Sequence, residues 1–274
     1  DLIRVNEQCA GGCPANGGIP GLNYRSANWG NHWNGSHTWK ASASYITGAH
    51  SLKFGYQGGF LVHNTTNFTN NQNLTFRVNN GVPNQLTQTL LPFSTYSRVR
   101  YSAFYAQDQW TLGRLTLQGA LRFDHAWSYY PEQQLGPTRF FPVAAVYPRT
   151  DGVDYKDITP RVGVAYDVFG TGKTSLKVNV GQYLEPASNG NGNYGVNNPT
   201  SRLSTTSART WTDANRDFVP DCNLLSQEAN GECARGNLNF GQQVFANTYD
   251  PNLLGGWDVR PTDWGVGVSI QQEV

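Results

Sequence analysis

The chain has 274 residues and a formal net charge of +1, with 14% charged residues, 13% aromatic residues and 30 glycines. An average soluble domain carries about 25% charged residues, so charge alone does not keep this chain dispersed. With a net charge this close to zero, the chain has no excess of positive charge that would attract nucleic acid, and we expect no nucleic-acid partner.

Membrane helices are not indicated by the sequence. No stretch approaches the roughly 18 consecutive apolar residues that such a helix needs, and the mean hydropathy is −0.52. Low hydropathy does not exclude spanning β-strands, because only alternate residues of such a strand face lipid. The first five residues, Asp1 to Val5, hold neither an initiator Met nor a signal-peptide pattern, so we interpret both ends as truncations.

The predicted elements are β-strands with period-two alternation. Residues 37–46 place Trp39 and Tyr45 on an apolar face, and residues 51–60 repeat the pattern after a four-residue turn. This spacing predicts a hairpin with a tight turn, and two further hairpins follow in the same way. The predicted strands are 37–46, 51–60, 98–110, 115–124, 161–168, 176–180 and 264–273, with a partial strand before residue 8.

Short turns alternate with long polar segments, at roughly 8–36, 62–97, 129–158 and 185–258. Outer-membrane barrels have short periplasmic turns, long extracellular loops and aromatic girdles. We therefore predict an all-β fold, an antiparallel transmembrane β-barrel segment with its apolar faces toward lipid and its charged faces toward a watery lumen. The alternative is a soluble antiparallel sandwich or propeller, whose strands also alternate.

The number of strands bears on the size of the barrel. About eight spanning strands are visible, counting the partial first one, and eight could close a small barrel. Small barrels fill their lumen with side chains and rarely carry a loop of about seventy residues. Glycines on the inward faces would also leave a small lumen underfilled, so we favour a wall segment of a larger barrel.

Several motifs in order resemble a known family. They are 39–56 (WKASASYITGAHSLKFGY), 104–110 (FYAQDQW), 117–124 (LQGALRFD), 157–167 (DITPRVGVAYD) and 209–215 (RTWTDAN). Together they resemble the TonB-dependent receptors with a carboxypeptidase-regulatory-like N-terminal domain, the Oar-like group of Acidobacteria. The match extends over essentially the whole chain, and the order of the motifs is more specific than any one of them.

The resemblance implies a barrel of about 22 strands with a plugged lumen in the bacterial outer membrane. Residues 1–274 would then be about eight of those strands, a partial barrel domain without the plug, the N-terminal domain or the C-terminal strands. The implied partners are outer-membrane lipid, the TonB complex through the missing N-terminal part, and an extracellular substrate. The implied function is energised uptake of an oligosaccharide, peptide or chelate. The alternatives are a non-transporting adhesin or binding barrel and a soluble carbohydrate-binding protein.

Four cysteines form two close pairs, Cys9 with Cys13 and Cys222 with Cys233, in polar sequence rich in Gly and Asn. Two local disulfides would suit an oxidising periplasm or cell surface. The alternative is a four-cysteine zinc site, but neither pair has the usual two-residue spacing and no His lies near either.

Catalysis is not indicated, because no nucleophile elbow, phosphate loop or zinc-protease helix appears. The five histidines are scattered along the chain. Asp124, His125 and Glu132 could be imagined as an acid–base group, but such residues on a barrel strand are more often lumen-facing polar residues. We therefore expect no enzyme activity and no organic cofactor.

One constellation predicts a cation site. Asp213, Asn215, Asp217 and Asp221 occupy positions one, three, five and nine of a calcium loop. Two departures weaken the pattern, since position six is Phe218 instead of Gly and position twelve is Leu224 instead of Glu. The alternative is a solvated acidic loop without calcium.

We expect the segment 185–258 to be an ordered extracellular loop and not a linker, because structureless loops of that length are unusual. Its order would come from the 222–233 bridge, from calcium and from a small apolar core. The expected core residues are Trp211, Phe218, Leu224, Leu225, Phe240, Phe245 and Tyr249. Mixtures of aromatic and amide residues at 28–34 and 189–194 suit sugar or peptide capture, but we favour the other interpretation, in which these loops pack on each other over the mouth of the barrel.

Overall fold

The computed structural model describes residues 2–13, 18–25, 28–188 and 192–273. Its strands are β1 (Arg4–Glu7), β2 (Asn23–Tyr24), β3 (Trp29–Thr47), β4 (His50–Phe68), β5 (Leu74–Asn79), β6 (Val82–Thr89), β7 (Phe93–Leu112), β8 (Leu115–Tyr130), β9 (Gln133–Leu135), β10 (Ala145–Tyr147), β11 (Thr150–Asp167), β12 (Thr174–Leu184), β13 (Thr206–Thr210), β14 (Gly255–Trp257) and β15 (Thr262–Gln272). Short 3₁₀ turns lie at Gly192–Gly195, Pro199–Arg202 and Pro251–Leu253. Within the described ranges, no helix has the length and apolar character needed to cross a membrane.

Seven long strands form one antiparallel sheet, which we call the wall. Its order is β3, β4, β7, β8, β11, β12 and β15, and the short β14 pairs with β11 beside this path. The three hairpins expected from the alternation are confirmed, as β3–β4, β7–β8 and β11–β12. Two residues join the first two hairpins, at 48–49 and 113–114. The fold is therefore all-β and antiparallel, as predicted.

The wall strands are much longer than expected. β3 and β4 have 19 residues each and β7 has 20, whereas a membrane crossing takes about 9–11 residues. The predicted loop boundaries at 8–36, 62–97 and 129–158 were wrong, because each of these segments begins or ends inside a strand. The reason is that strand extensions beyond a bilayer have water on their outer side, so the hydrophobic alternation stops before the strand does.

The partial strand at the N-terminus does not belong to the wall, which corrects the count of about eight wall strands. β1 pairs with β2 and, in parallel, with β5. These strands form a separate five-stranded sheet in the order β13, β6, β5, β1 and β2, which we call the head sheet. With four residues, β1 is too short to cross a bilayer.

One face of the wall is apolar and open to the surroundings. The register places Phe54 beside Ala106 and Ala106 beside Leu121, and Phe54 and Leu121 are 51% and 59% exposed. Val162 and Val164 on β11 are also exposed, and neither belongs to a buried cluster. A soluble sandwich would bury this face under a second sheet. The observed exposure excludes that alternative for the described residues.

The apolar face has the height of a bilayer crossing. On the four central strands it covers residues 52–60, 104–112, 115–123 and 158–166, about nine residues each. Asp108 of β7 interrupts this face, and its carboxylate lies 2.6 Å from the His50 ring. A tilted spanning strand needs about 9–11 residues. Aromatic side chains lie near both limits of this band: Tyr45, Trp110 and Tyr166 near the tight turns, and Trp39, Phe60 and Trp264 near the other end.

The buried cores lie outside this band. We call the head sheet, together with the parts of the three long connections that pack on it, the head. The first core lies in the head, and its residues come from all three connections: Leu74, Phe76, Leu86, Leu90, Leu135, Phe140, Leu203, Trp211 and Cys233. A second, smaller core joins Val99, Ala126, Val153 and Tyr155 of the wall to Tyr194 of the last connection. The connection between β12 and β15 therefore folds against the inner face of the wall.

Candidate ligand-binding surface

The inner face of the wall is polar, since alternation places these residues opposite the apolar band. Gln57, Arg122 and Arg161 lie here, on three different strands. Gly55 and Gly59 do not leave empty space, because a Cβ on either would lie 2.2 and 2.3 Å from the rings of Tyr105 and Tyr101, respectively. The space above these two glycines is therefore occupied by rings of the neighbouring strand.

A cavity of about 300 Å³ opens on this inner face between the wall and the ends of the last connection. Arg122 donates to both carboxylate oxygens of Asp124, at 2.7 and 2.9 Å, and to Gln57 at 3.3 Å. The guanidinium of Arg161 lies 4.5 Å from the centre of the Tyr183 ring. The cavity is therefore lined by charged groups and by an aromatic ring. These groups suit hydrogen bonding to, and stacking on, a polar ligand.

Asp124 and His125 do not form the acid–base group imagined from the sequence. As neighbours on a strand they point to opposite faces, Asp124 inward to Arg122 and His125 outward. His125 contacts Asp154 instead, with 2.5 Å between Nε2 and Oδ1, and stacks on Trp127.

The two ends of the last connection are tied together beside the cavity. Arg260 donates to the carbonyl oxygen of Glu185, and the Glu185 N–H donates to the Pro261 carbonyl at 3.0 Å. Arg260 also lies 3.8 Å from Asp157 of β11, and the two side chains are only 5% and 1% exposed. A buried pair of this kind is costly to break by removing one partner, so the base of the connection is held to the wall.

The first part of the same connection is fixed by buried hydrogen bonds to the upper wall. The Tyr130 hydroxyl donates to the carbonyl oxygens of Tyr194, at 3.0 Å, and Val196. Gln133 donates to Asn198 at 3.1 Å. Burial raises the pKa of the Tyr194 hydroxyl, which is 1% exposed as a residue. Of the stretch 189–194 proposed for ligand capture, residues 189–191 lie outside the described residues and Tyr194 is a core residue.

The other stretch proposed for capture, 28–34, lies largely in β3 and not in a loop. Trp29 stacks on Phe68 of the paired strand, with 5.8 Å between ring centres, and Trp33 is 56% exposed. Trp29 is therefore engaged in cross-strand packing, while Trp33 stays available to a partner.

The four residues of the predicted calcium loop lie close together. The Asn215 amide donates to Asp217 at 3.1 Å and to Asp221 at 3.0 Å. Asp213 accepts from the N–H groups of Asp217 and Phe218. Phe218 has φ +60°, the left-handed conformation for which calcium loops use Gly at position six. Leu224 at position twelve still offers no ligand, and calcium binding stays a prediction.

Glu232 holds this acidic segment in place and was not found from the sequence. It accepts hydrogen bonds from the Ala214 N–H at 2.7 Å and, through its other oxygen, from the Trp211 ring at 3.2 Å and the Asp221 N–H at 3.3 Å. These donors, the Ala214 N–H first, hold the pKa of Glu232 below its ordinary value. No sequence signal distinguished Glu232 from the other exposed acids.

Arg209 was also missed, although it is only 2% exposed. Its guanidinium donates to the carbonyl oxygens of Ala234, Ser226 and Glu228, at 2.7 to 2.8 Å. Burial lowers the pKa of Arg209. The side chain therefore organises the backbone of the segment that the 222–233 bridge closes.

Both predicted disulfides are present, Cys9 with Cys13 and Cys222 with Cys233. A zinc site made of these thiols is excluded. Cys233 and Trp211 are buried in the head core, with Leu224 and Phe240 packed against it. Four other residues expected in that core are exposed instead: Phe218, Leu225, Phe245 and Tyr249. Apolar residues of the other two connections occupy the core instead, because all three long connections contribute to the head.

Residues 9–260 match the family described as "Outer membrane beta barrel domain". None of the curated proteins compared matches the chain. Among solved structures, the ferric citrate transporter FecA in the unliganded form is 14% identical with a TM-score of 0.35, covering 68% of this chain and 26% of its own. The ferric-catecholate import receptor Fiu of E. coli K12, in a closed form, is 14% identical with a TM-score of 0.36, covering 66% of this chain and 29% of its own. The chain thus spans less than a third of the length of either receptor.

A wall with an apolar band outside and a polar face inside is the architecture of a membrane-spanning β-barrel. Together with a family match over most of its length, it shows that the chain belongs to the outer membrane β-barrel domain family. The protein is accordingly located in the outer membrane. Its assignment to the Oar-like group stays a prediction from the sequence motifs.

Proposed function

We propose that the chain supplies wall and extracellular loops to an outer-membrane receptor that takes up an oligosaccharide, peptide or chelate, energised by the TonB complex. The observation that carries this proposal is the position of the head. The connection between β12 and β15, which also contributes to the head, packs against the inner face of the wall, and both of its ends lie beside a charged cavity. A ligand entering from the loop side would meet the head before it reached the lumen.

The inner face supports transport more than adhesion. An adhesin needs only an outer binding surface, whereas here polar groups continue along the inner wall from the head toward the tight turns. Gln57, Arg122, Arg161 and Asn179 form such a series. A polar inner surface of this kind provides successive hydrogen-bonding positions for a solute that moves along it.

Uptake by the intact receptor in its host is the test. Three labelled probes would be supplied to wild-type cells, to cells lacking the receptor gene and to cells lacking TonB: a fluorescent malto-oligosaccharide, a fluorescent peptide digest and ferric citrate that carries radioactive iron. We expect at least one probe to accumulate in wild-type cells only. Equal accumulation of all three probes in all three strains would contradict the proposal. Surface binding without accumulation would favour the adhesin.

A further inference from the structure

The fold brings together two histidines that are far apart in the sequence. His32 of β3 pairs directly with Thr65 of β4, and the next pair of residues on the same face is Asn34 with His63. The four side chains therefore occupy the corners of a square on the sheet, which we call the histidine square. The two imidazoles lie on one diagonal of the square, and the Thr65 hydroxyl and the Asn34 amide lie on the other.

Both imidazoles direct a ring nitrogen at the same oxygen atom. His32 Nδ1 lies 3.1 Å from Thr65 Oγ1, and His63 Nε2 lies 2.8 Å from that oxygen. The two nitrogens are therefore separated by no more than these two distances together. Imidazole nitrogens bind a metal ion at about 2.0–2.1 Å. Small side-chain rotations, with the Thr65 hydroxyl moving aside, therefore bring both nitrogens to one ion.

The other ring nitrogen of His32 is placed as it is in many metal ligands. A Cβ added to Gly30 would lie 2.8 Å from His32 Nε2 and 3.3 Å from Asn67 Oδ1, so these two atoms border the same small space. Metal-bound histidines usually donate the second ring N–H to an oxygen, which fixes the tautomer. A proton on Nε2, next to the Asn67 amide oxygen, leaves Nδ1 with the lone pair that a metal needs.

The histidine square is accessible to ions in solution. His32 is exposed and His63 is half-buried. Asn34 and His63 line a cavity of about 350 Å³ together with Leu61, whose side chain packs against the smaller core on the inner face of the wall. The square therefore faces inward, and it lies beyond the limit of the apolar band at residue 60, on the side of the head. Water and dissolved ions can reach its donor atoms.

The donor atoms of the square favour particular metal ions. Two imidazole nitrogens and two neutral oxygens that alternate around a square suit the tetragonal geometry of Cu²⁺ or Ni²⁺. Calcium binds through oxygen ligands, with carboxylates prominent among them, and none of the four residues is acidic. Among divalent first-row metals, the affinity of a given site is usually greatest for Cu²⁺. The chain contains no Met and its four cysteines form disulfides, so none of its thiols or thioethers competes for copper.

We propose that the histidine square binds a divalent copper ion, with His32 and His63 as its nitrogen ligands. Thr65, Asn34 or water supplies the oxygen ligands. The ion joins β3 to β4 beyond the apolar band, on the inner face of the wall. Both nitrogens must be free of protons to bind it, so acidification releases the ion. The site does not depend on the proposed uptake function, because it needs only the paired strands.

Copper binding by the intact receptor in detergent tests the proposal. The affinity would be measured by titration with Cu²⁺ against a chelator of known affinity, and the copper-loaded receptor would be studied by electron paramagnetic resonance. We expect His32→Ala and His63→Ala each to weaken binding of one equivalent of Cu²⁺ by at least about tenfold. Each variant should also lose the resonance pattern of that ion, which shows two bound nitrogens in the wild type. His37→Ala is the matched control, because His37 is an exposed histidine on the opposite face of the same strand, and it should bind copper as the wild type does.

Three outcomes would overturn the proposal: copper binding that is unchanged in both variants, an equal loss in the His37→Ala control, or displacement of the copper by an excess of Ca²⁺. The first would show that the square is only a set of hydrogen-bonded side chains, and the second that copper binds exposed histidines in general. Resistance of the head to proteolysis would confirm that each variant is folded. If an alanine variant is not folded, His63→Gln replaces it, since Gln keeps a polar side chain without the imidazole. Probe uptake is measured separately, so a receptor that binds copper but imports none of the probes would contradict only the proposed function.

Discussion

Glu232 accepts a 2.7 Å hydrogen bond from the backbone N–H of Ala214. This contact joins the disulfide-closed segment 222–233 to the start of the acidic segment, 18 residues earlier in the chain. The carboxylate form makes the bond, because a protonated carboxyl is a weaker acceptor. The conformation of the head is therefore linked to the ionisation of one side chain.

The first prediction concerns pH. The N–H donors lower the pKa of Glu232 in the folded state below its ordinary value of 4.5. The ionised side chain therefore stabilises the folded head at pH values above 4.5, and this stabilisation is lost as the pH falls through the lowered pKa. We expect cleavage at residues 213–232 in limited proteolysis, with a protease that is active at each pH tested, to accelerate as the pH falls below 4.5. Glu232→Gln should be cleaved faster already at pH 7, with little further change in acid.

Glu228→Gln is the control for this measurement, since the only hydrogen bond or ion pair of the Glu228 side chain among the described residues is an exposed ion pair with Arg235 at 3.4 Å, and the substitution leaves its backbone carbonyl in place. It should follow the wild-type profile. If wild-type protein is cleaved at the same rate at pH 3 and pH 7, after correction for protease activity, then ionisation of Glu232 does not control the stability of the head.

The second prediction concerns Arg209. Its replacement by Lys keeps the charge but loses the planar fork that reaches three carbonyl oxygens. Hydrogen bonds from charged groups contribute about 1.5–3 kcal/mol each, so we expect the head to lose about 2–4 kcal/mol of stability. Thermal unfolding followed by proteolysis of the head measures the change. Arg216→Lys, at an exposed position, should leave the midpoint unchanged, and an equally stable Arg209→Lys head would refute the role given to Arg209.

The third prediction concerns calcium. Oxygen ligands from Asp213, Asn215, Asp217 and Asp221 would be drawn together by the cation, whose charge offsets the repulsion of the carboxylates. We expect calcium to slow cleavage of the acidic segment in the intact receptor, and Asp217→Ala to abolish the effect. Glu228→Ala should respond to calcium as wild type does. Equal cleavage with calcium, with chelator and in Asp217→Ala would show that the segment is a solvated acidic loop.

The hairpins could be predicted from the sequence because alternation within the bilayer is a local property. Ser42 and Lys53 alternate with apolar neighbours there, so strand and face are both visible. Beyond the band both faces meet polar surroundings, and residues such as Asn31 and Asn64 continue the strands without any hydrophobic signal. The strand ends were therefore missed.

The head could be predicted only in part. Each cysteine pair is close in the sequence, and both pairings were found from spacing alone. Contacts such as that between Phe76 and Trp211, with ring centres 4.7 Å apart, join connections that are far apart in the chain. Nothing local marks these partners, and the same holds for the carbonyl oxygens around Arg209.

The most direct test of the account is the exposure of alternate residues along β8 in the outer membrane. The structure shows no free cysteine among the described residues, so single cysteines introduced at positions 115 to 123 would carry a spin label without interference. Accessibility to oxygen, which concentrates in lipid, would be compared with accessibility to a water-soluble nickel chelate. Labels at 117, 121 and 123 should favour oxygen, and labels at 116, 118 and 120 should favour the chelate. Equal preference at neighbouring positions, or chelate access at 121 and 123, would contradict a wall that faces lipid on one side and water on the other.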